Sequence, residues 1–344
     1  MAGIKFEELA ERFAQTLRLA GGVVLYTSDP RTRPVAVTVL LGGVTYRLEA
    51  YLWSITPGGK GRGRPRERRI QLTGVSRFSL KAGIRGVLGG WSDEVGVFAF
   101  WDMRRHLGFR EGSPSLQISL DTLEQAAVVG LATEIRSVRE GSEIAVAVQP
   151  DYLHWYIEEY QQLYDCGVEA QGAADLVRNR PEDDRQFIDS GENDNAQSRR
   201  HLMISVVRNF RAAQFRPLVL RAYSYRCCLT GMSLRLVDAA HIVPVSDPTS
   251  TDEPRNGVAL NPLLHRAYDC GLLGLLPGGF TAINKRLRTE LGAAKLDAGI
   301  KSLEGMIPRQ MTMPGSPEFH PPDDYLYRGL QARGWTDEDI RCAS

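Results

Sequence analysis

Three residues in the last third of the 344-residue chain, His241, Asn256 and His265, have types and spacing that can do chemistry. A neutral imidazole takes a proton from water near neutral pH, and imidazole is also a common ligand for divalent metals. An Asn side chain donates and accepts, so it can fix a neighbour's orientation. Singly, each is ordinary: a lone His is usually structural or exposed, and Asn256-Gly257 is a common turn signal. Their setting sharpens them. RLVDAAHIV reads as a short strand ending near His241, followed by the loop VPVSDPTSTDEPRNG and a second strand, VAL. Asn261-Pro262 supplies a cap and first residue for a helix through LLHRAYDC, and Gly271 ends it. The order is strand, loop, strand, helix.

Asn256 follows His241 by fifteen residues and His265 follows Asn256 by nine. With the flanking words YSYRCCLTG, AAHIVP and RNGVALNPLLHRAYDCGLL, this stretch resembles the HNH endonuclease family and its ββα-metal fold over roughly residues 205–280. The resemblance implies phosphodiester hydrolysis. In-line attack needs an activated water and a cation to neutralise charge on the transition state. By that resemblance His241 is the general base and Asn256 orients it through its backbone or ring. His265 ligates one divalent cation per site, Mg²⁺ or Mn²⁺ or similar.

Two departures bear on the metal. Many HNH proteins carry an acidic ligand just before the first His, where this chain has Ala240. Asp238 shares a strand face with Ala240, and Asp269 lies one helical turn beyond His265, so either carboxylate is a candidate second ligand. Asp238 is the preferred one. Relatives often add paired CxxC motifs that hold zinc. Here the five cysteines, at 166, 227, 228, 270 and 342, form no such pair, so no structural zinc is expected and Cys228 and Cys270 read as small buried fillers.

The elements that must position this motif belong to a larger chain. Its 43% hydrophobic and 24% charged residues are those of a globular protein, and no apolar run is long enough to span a membrane. The N-terminus lacks the apolar core of a signal peptide, so a cytoplasmic location is expected. Net charge is only +1, which neither announces nor excludes a nucleic-acid partner. Apolar spacing predicts a helix over residues 5–20. Strands are expected at 23–28, 35–41, 44–53, 95–103, 115–120, 126–135 and 143–149, with 35–41 and 44–53 forming a hairpin, and a helix from Asp151 closes the domain. The fold class is therefore α+β: an N-terminal mixed domain over 1–165 with a sheet large enough to curl barrel-like, a polar linker over 166–200, and the nuclease module with its tail over 201–344. Trp335 and Tyr327 in that tail are expected to pack on the module.

HNH modules have little sequence preference of their own and are commonly joined to a reader domain, so residues 1–165 are the expected reader. GGKGRGRPRERR concentrates Lys60, Arg62, Arg64, Arg66, Arg68 and Arg69, a segment suited to tracking phosphates. Trp101 with Asp102, or Trp91 with Asp93, could wall a pocket for a flipped, modified base. Reader, linker and nuclease in this order resemble modification-dependent restriction endonucleases acting on double-stranded DNA that carries 5-methylcytosine or a related mark. The alternatives are a restriction enzyme for an unmodified sequence and a silent DNA-binding protein that keeps the scaffold. A homodimer is expected because one such site cuts one strand.

Overall fold

The computed structural model describes residues 4–41, 43–58, 65–108, 114–138, 141–171, 173–178, 194–234 and 236–343. The chain divides into two compact units, Met1–Phe210 and Arg211–Ser344. Among the described residues no helix is long and apolar enough to cross a membrane.

The first unit opens with α1 (Phe6–Leu19), whose Leu9, Phe13 and Leu17 are buried. Strands β1 (Val23–Tyr26), β2 (Val35–Leu41) and β3 (Val44–Ser54) follow, and β2 and β3 form the expected hairpin, with Leu41 opposite Val44. Then come β4 (Thr56–Pro57), β5 (Glu67–Gln71), β6 (Arg85–Ser92), β7 (Val97–Trp101), β8 (Ser115–Ser119), α2 (Leu120–Val129), β9 (Leu131–Val138), β10 (Gly141–Val148), α3 (Leu153–Asp165) and α4 (Ala173–Arg178). Seven strands make one sheet in the order β1-β2-β3-β6-β7-β10-β9, and β4-β5-β8 make a second. The large sheet is open, with β1 and β9 at opposite edges, so the barrel-like closure expected from strand number does not occur among the described residues.

Strand β7 explains the aromatic density of this region. It is buried on both faces. Phe98 meets Phe13 of α1 and Phe100 stacks on Tyr156 of α3, while Ala99 and Trp101 face the core that holds Ile70 of β5 and Ile118 of β8. Strand β6 escapes the β-branched pattern because it carries glycines where neighbours press closest. A Cβ on Gly89 would lie 2.3 Å from the Phe100 ring, and one on Gly90 would lie 2.6 Å from Ile70.

Two expected boundaries move. Residues 126–129 finish α2 rather than begin a strand: Ser119 caps that helix through Thr122 N–H, and Gly130, at φ +95°, ends it before β9. The stretch assigned to a linker from 166 carries instead a 3-10 turn (Gly167–Ala170) and α4, with Cys166, Ala170, Ala173 and Ala174 buried. Small apolar residues inside a polar run supply that burial. The division falls inside α5 (Asp194–Ala222), whose Phe210 packs on Tyr152 and Trp155 in the first unit.

In the second unit, Phe215, Val219, Leu220 and Tyr223 of α5 join a core with β11 (Asp238–His241), β12 (Gly257–Leu260) and α6 (Pro262–Asp269). The two strands pair antiparallel with His241 opposite Gly257. Asn261 caps α6 through Leu264 N–H, with Pro262 at its first position. This is the expected strand–strand–helix order. Beyond it lie β13 (Leu273–Leu275), β14 (Thr281–Ile283), α7 (Lys285–Ala293), α8 (Ile300–Glu304), α9 (Asp323–Ala332) and α10 (Asp337–Ala343). Trp335 is buried with Leu330 and Ile340, and Tyr327 packs against them. Cys227 and Cys228 are buried as well, and burial pushes the Cys228 thiol well up. Cys270 is exposed, not a buried filler, because it caps the solvent end of α6.

Candidate active site

His241 closes β11 at the mouth of the 242–256 loop, and its ring is held on two sides. The Phe215 ring of α5 stacks on it at 3.6 Å between centroids and 9° between planes. On the other side its Nε2 lies 3.1 Å from an Asp252 carboxylate oxygen. The backbone opposite must be glycine for this to fit. A Cβ on Gly257 would lie 2.3 Å from Val219 and 2.8 Å from the Phe215 ring. A carboxylate on one imidazole nitrogen fixes the tautomer, leaving Nδ1 as the nitrogen that can take a proton. Composition could not single out Asp252, one of several polar residues in the loop.

Asn256 is fully buried, and its contacts go to the loop rather than to His241. Its Oδ1 accepts from Val243 N–H at 2.9 Å. Its Nδ2 donates to the Thr251 carbonyl at 2.8 Å, to Ser250 Oγ at 3.2 Å and to the Val243 carbonyl at 3.3 Å. Its own carbonyl accepts from Ile242 N–H at 2.8 Å. One side chain thus ties the start of the loop to its far end, next to Asp252. The orientation of His241 expected of Asn256 would have to pass through that loop.

His265 lies on α6 between the two acidic candidates. Its Nδ1 is 4.0 Å from Asp238 and its Nε2 is 3.4 Å from Asp269. The two ring nitrogens point apart, so one ion on His265 can take the carboxylate on one side only. Asp238 also faces Arg216 at 3.7 Å, and His265 first, then Arg216, hold its carboxyl below the usual carboxylate range. Asp269 faces Arg333 at 3.4 Å. Among the described residues no three His, Cys, Asp or Glu side chains gather closely enough to hold an ion by themselves. An imidazole with one ionised carboxylate does suit a hard divalent cation that keeps waters and takes phosphate oxygens from its substrate. His265 with either carboxylate has the donor chemistry for such an ion.

Residues 227–275, which contain His241, Asn256 and His265, match the profile of the HNH endonuclease family. The C-terminal unit carries an HNH endonuclease domain. Residues 46–157 match the profile of the methylase-associated X1 domain, from within β3 to the first turn of α3, leaving out α1, β1 and β2. No curated protein matches the chain. Among solved structures, a modification-dependent TagI restriction endonuclease matches at 12% identity over 86% of this chain and 85% of that chain, with a TM-score of 0.30. That likeness is too loose to speak to fold or activity. Outside the HNH match lie Phe215, Arg216 and Arg333, although all three touch residues of the HNH domain's site.

Of the residues expected to read DNA, both tryptophans are buried. Trp101 is 1% exposed and sits in the core, and Asp102 caps a 3-10 turn (Met103–His106) while pairing with Arg104. Trp91 is buried edge-on to Phe98 beneath the Arg12 guanidinium, and its Nε1 donates to Asp93 at 3.3 Å. A cleft of about 40 Å³ in this unit is lined by Leu72, Phe78, His106 and Pro114 among others. Of the basic segment, Lys60, Arg62 and Arg64 lie outside the described residues. Arg66 pairs with Asp121 and Glu124, and Arg68 is buried against Glu94, so both are neutralised within the fold. Arg69 sits in β5 opposite Thr56. Strand β5, Glu67–Gln71, takes up the last two of the six basic residues, Arg68 and Arg69.

Proposed function

We propose that the protein is a metal-dependent endonuclease of the restriction type that hydrolyses double-stranded DNA carrying modified cytosine, 5-methylcytosine or a related mark. The observation that carries the nuclease part is the His241 imidazole, stacked on Phe215 and held by Asp252, in a domain that matches the HNH family. In this reading Asp252 accepts a hydrogen bond from the Nε2–H, His241 Nδ1 takes a proton from water, and Phe215 keeps the ring from turning. Asn256 holds the loop that delivers Asp252. His265 and Asp238 would hold one divalent cation, Mg²⁺ or Mn²⁺, which supplies charge neutralisation at the phosphate. Asp269, which faces Arg333 as Asp238 faces Arg216, is the alternative carboxylate. Two copies, one per strand, would complete a double-strand break, so a homodimer belongs to the proposal.

The restriction part draws its support from the methylase-associated X1 match in the first unit and its union with a nuclease domain in one chain. A second reading, cleavage of an unmodified sequence, draws its support from the burial of Trp101 and Trp91, the tryptophans expected to wall a base pocket. Purified protein should cut plasmid bearing 5-methylcytosine or a related mark, stop with chelator, and leave unmodified plasmid intact. Equal cutting of both plasmids would select the second reading. Binding without metal-dependent cutting would select a silent DNA-binding protein, the reading that Ala240 favours.

The role of Asp252 has its own test. Asp252→Asn keeps the shape of the side chain but permits the wrong tautomer of His241. The cleavage rate should fall about 10- to 100-fold, a loss of the size seen when a group orienting a histidine is removed. Because Asp252 is 45% exposed, thermal stability should stay near that of the wild type. An unchanged single-turnover rate would remove Asp252 from the mechanism.

A further inference from the structure

We propose that Arg333 is a positioning residue for this site, a clamp that holds the end of β11, and with it His241, against α6. The proposal rests on the nuclease reading of the second unit. Arg333 follows α9 in the C-terminal tail, about ninety residues beyond His241. Its side chain is 6% exposed. One guanidinium nitrogen, Nη2, donates to the His241 carbonyl at 2.8 Å and lies 3.4 Å from an Asp269 carboxylate oxygen. The other, Nη1, donates to the Ile242 carbonyl at 2.6 Å and the Gly329 carbonyl at 3.0 Å. The plane of the group lies over the Tyr268 ring at 3.8 Å. One rigid fork therefore touches the last residue of β11, the residue after it, and two consecutive residues of α6.

The backbone is shaped to bring it there. A Cβ on Gly329 would lie 2.5 Å from the Ile242 carbonyl oxygen, so α9 can approach the strand end only with glycine at that turn. After Arg333 the chain reverses through Gly334 at φ +80°, and Trp335 locks the turn by donating its indole N–H to the Gly271 carbonyl at 2.8 Å. Such a clamp has a mechanical reason. β11 has four residues and one partner, β12, in a two-stranded ribbon that is weak by itself. The base sits at its end. Arg333 supplies fixed donors to the carbonyls there, and no lysine could copy a planar fork with two donor nitrogens and a stacking face.

Arg333→Lys and Arg333→Gln test this beside the wild type and His241→Ala. Readouts are single-turnover cleavage at saturating DNA, KM, DNA affinity without metal, and the thermal midpoint. Both variants should melt cooperatively, bind DNA as the wild type does and keep its KM, while kcat falls about 10- to 100-fold, the cost of a small misplacement of a reacting group. Arg333→Lys should recover little of the lost rate. Wild-type kcat in either variant would overturn the clamp. So would unfolding of both at the assay temperature, or a fall in kcat matched by falls in affinity and midpoint, since those results assign a purely structural role. A wild type inert on every modified and unmodified plasmid tried overturns the nuclease reading, and the clamp with it.

Discussion

His241→Ala is expected to lower the cleavage rate by a factor of about 10² to 10⁴, the range that a positioned general base contributes. The protein should still fold and still bind DNA. The imidazole is 21% exposed, its ring contact is to Phe215, and its side-chain partner is the half-exposed Asp252. Removing it strips no buried donor of its acceptor. The backbone carbonyl of residue 241, which receives Arg333, survives the substitution, as does the strand pairing with Gly257. Rate and stability should therefore separate: a large loss in single-turnover cleavage with little change in thermal midpoint. A variant that cuts within about twofold of the wild type would show that proton transfer runs through another group, and the proposed mechanism would fall.

Asn256→Ala should behave in the opposite way. The amide is fully buried and joins the start of the 242–256 loop to its end. Truncation leaves the Val243 N–H and the Thr251 carbonyl without their partner. Each buried polar group left unpaired costs about 1–3 kcal/mol, so a loss of several kcal/mol is expected. Asn256→Asp should not rescue it, because a carboxylate would face the Thr251 and Val243 carbonyls where an amide N–H₂ donates. Calorimetry or thermal denaturation reads the loss directly. A midpoint unchanged in Asn256→Ala would mean that the loop is held by other contacts, and the indirect role given to this residue would have to be abandoned.

The contrast between these two residues shows what was legible in the sequence. The strand–strand–helix order could be read because its signals are local: a short apolar strand ending at His241, the Asn261-Pro262 cap, and Gly271 as terminator. The hairpin of β2 and β3 was legible for the same reason. What could not be read was set by contacts distant in sequence. Asp252 is one of several acidic residues in a polar loop, and the Asn256 bonds help bring it to His241. Arg333 looks like any surface arginine until the turn at Gly334 folds it inward. In the first unit, Trp101 and Asp102 alternate as a pocket wall would. They lie in or just beyond a strand covered on both faces, a fact set by β5, β8 and α3 rather than by β7 itself. The arginines at 66 and 68 likewise find carboxylates at 121, 124 and 94.

Gly257 has a consequence for how this domain could be cut out and used. The space that this glycine leaves is filled by Phe215 and Val219, which precede the family match at residue 227, and Arg333 follows its end at residue 275. A fragment trimmed to the matched residues would keep every motif residue, yet have an empty slot beside the histidine and two bare carbonyls at the strand end. The smallest self-sufficient cutting unit is thus longer than its own signature, needing the last turns of α5 on one side and the tail through Trp335 on the other.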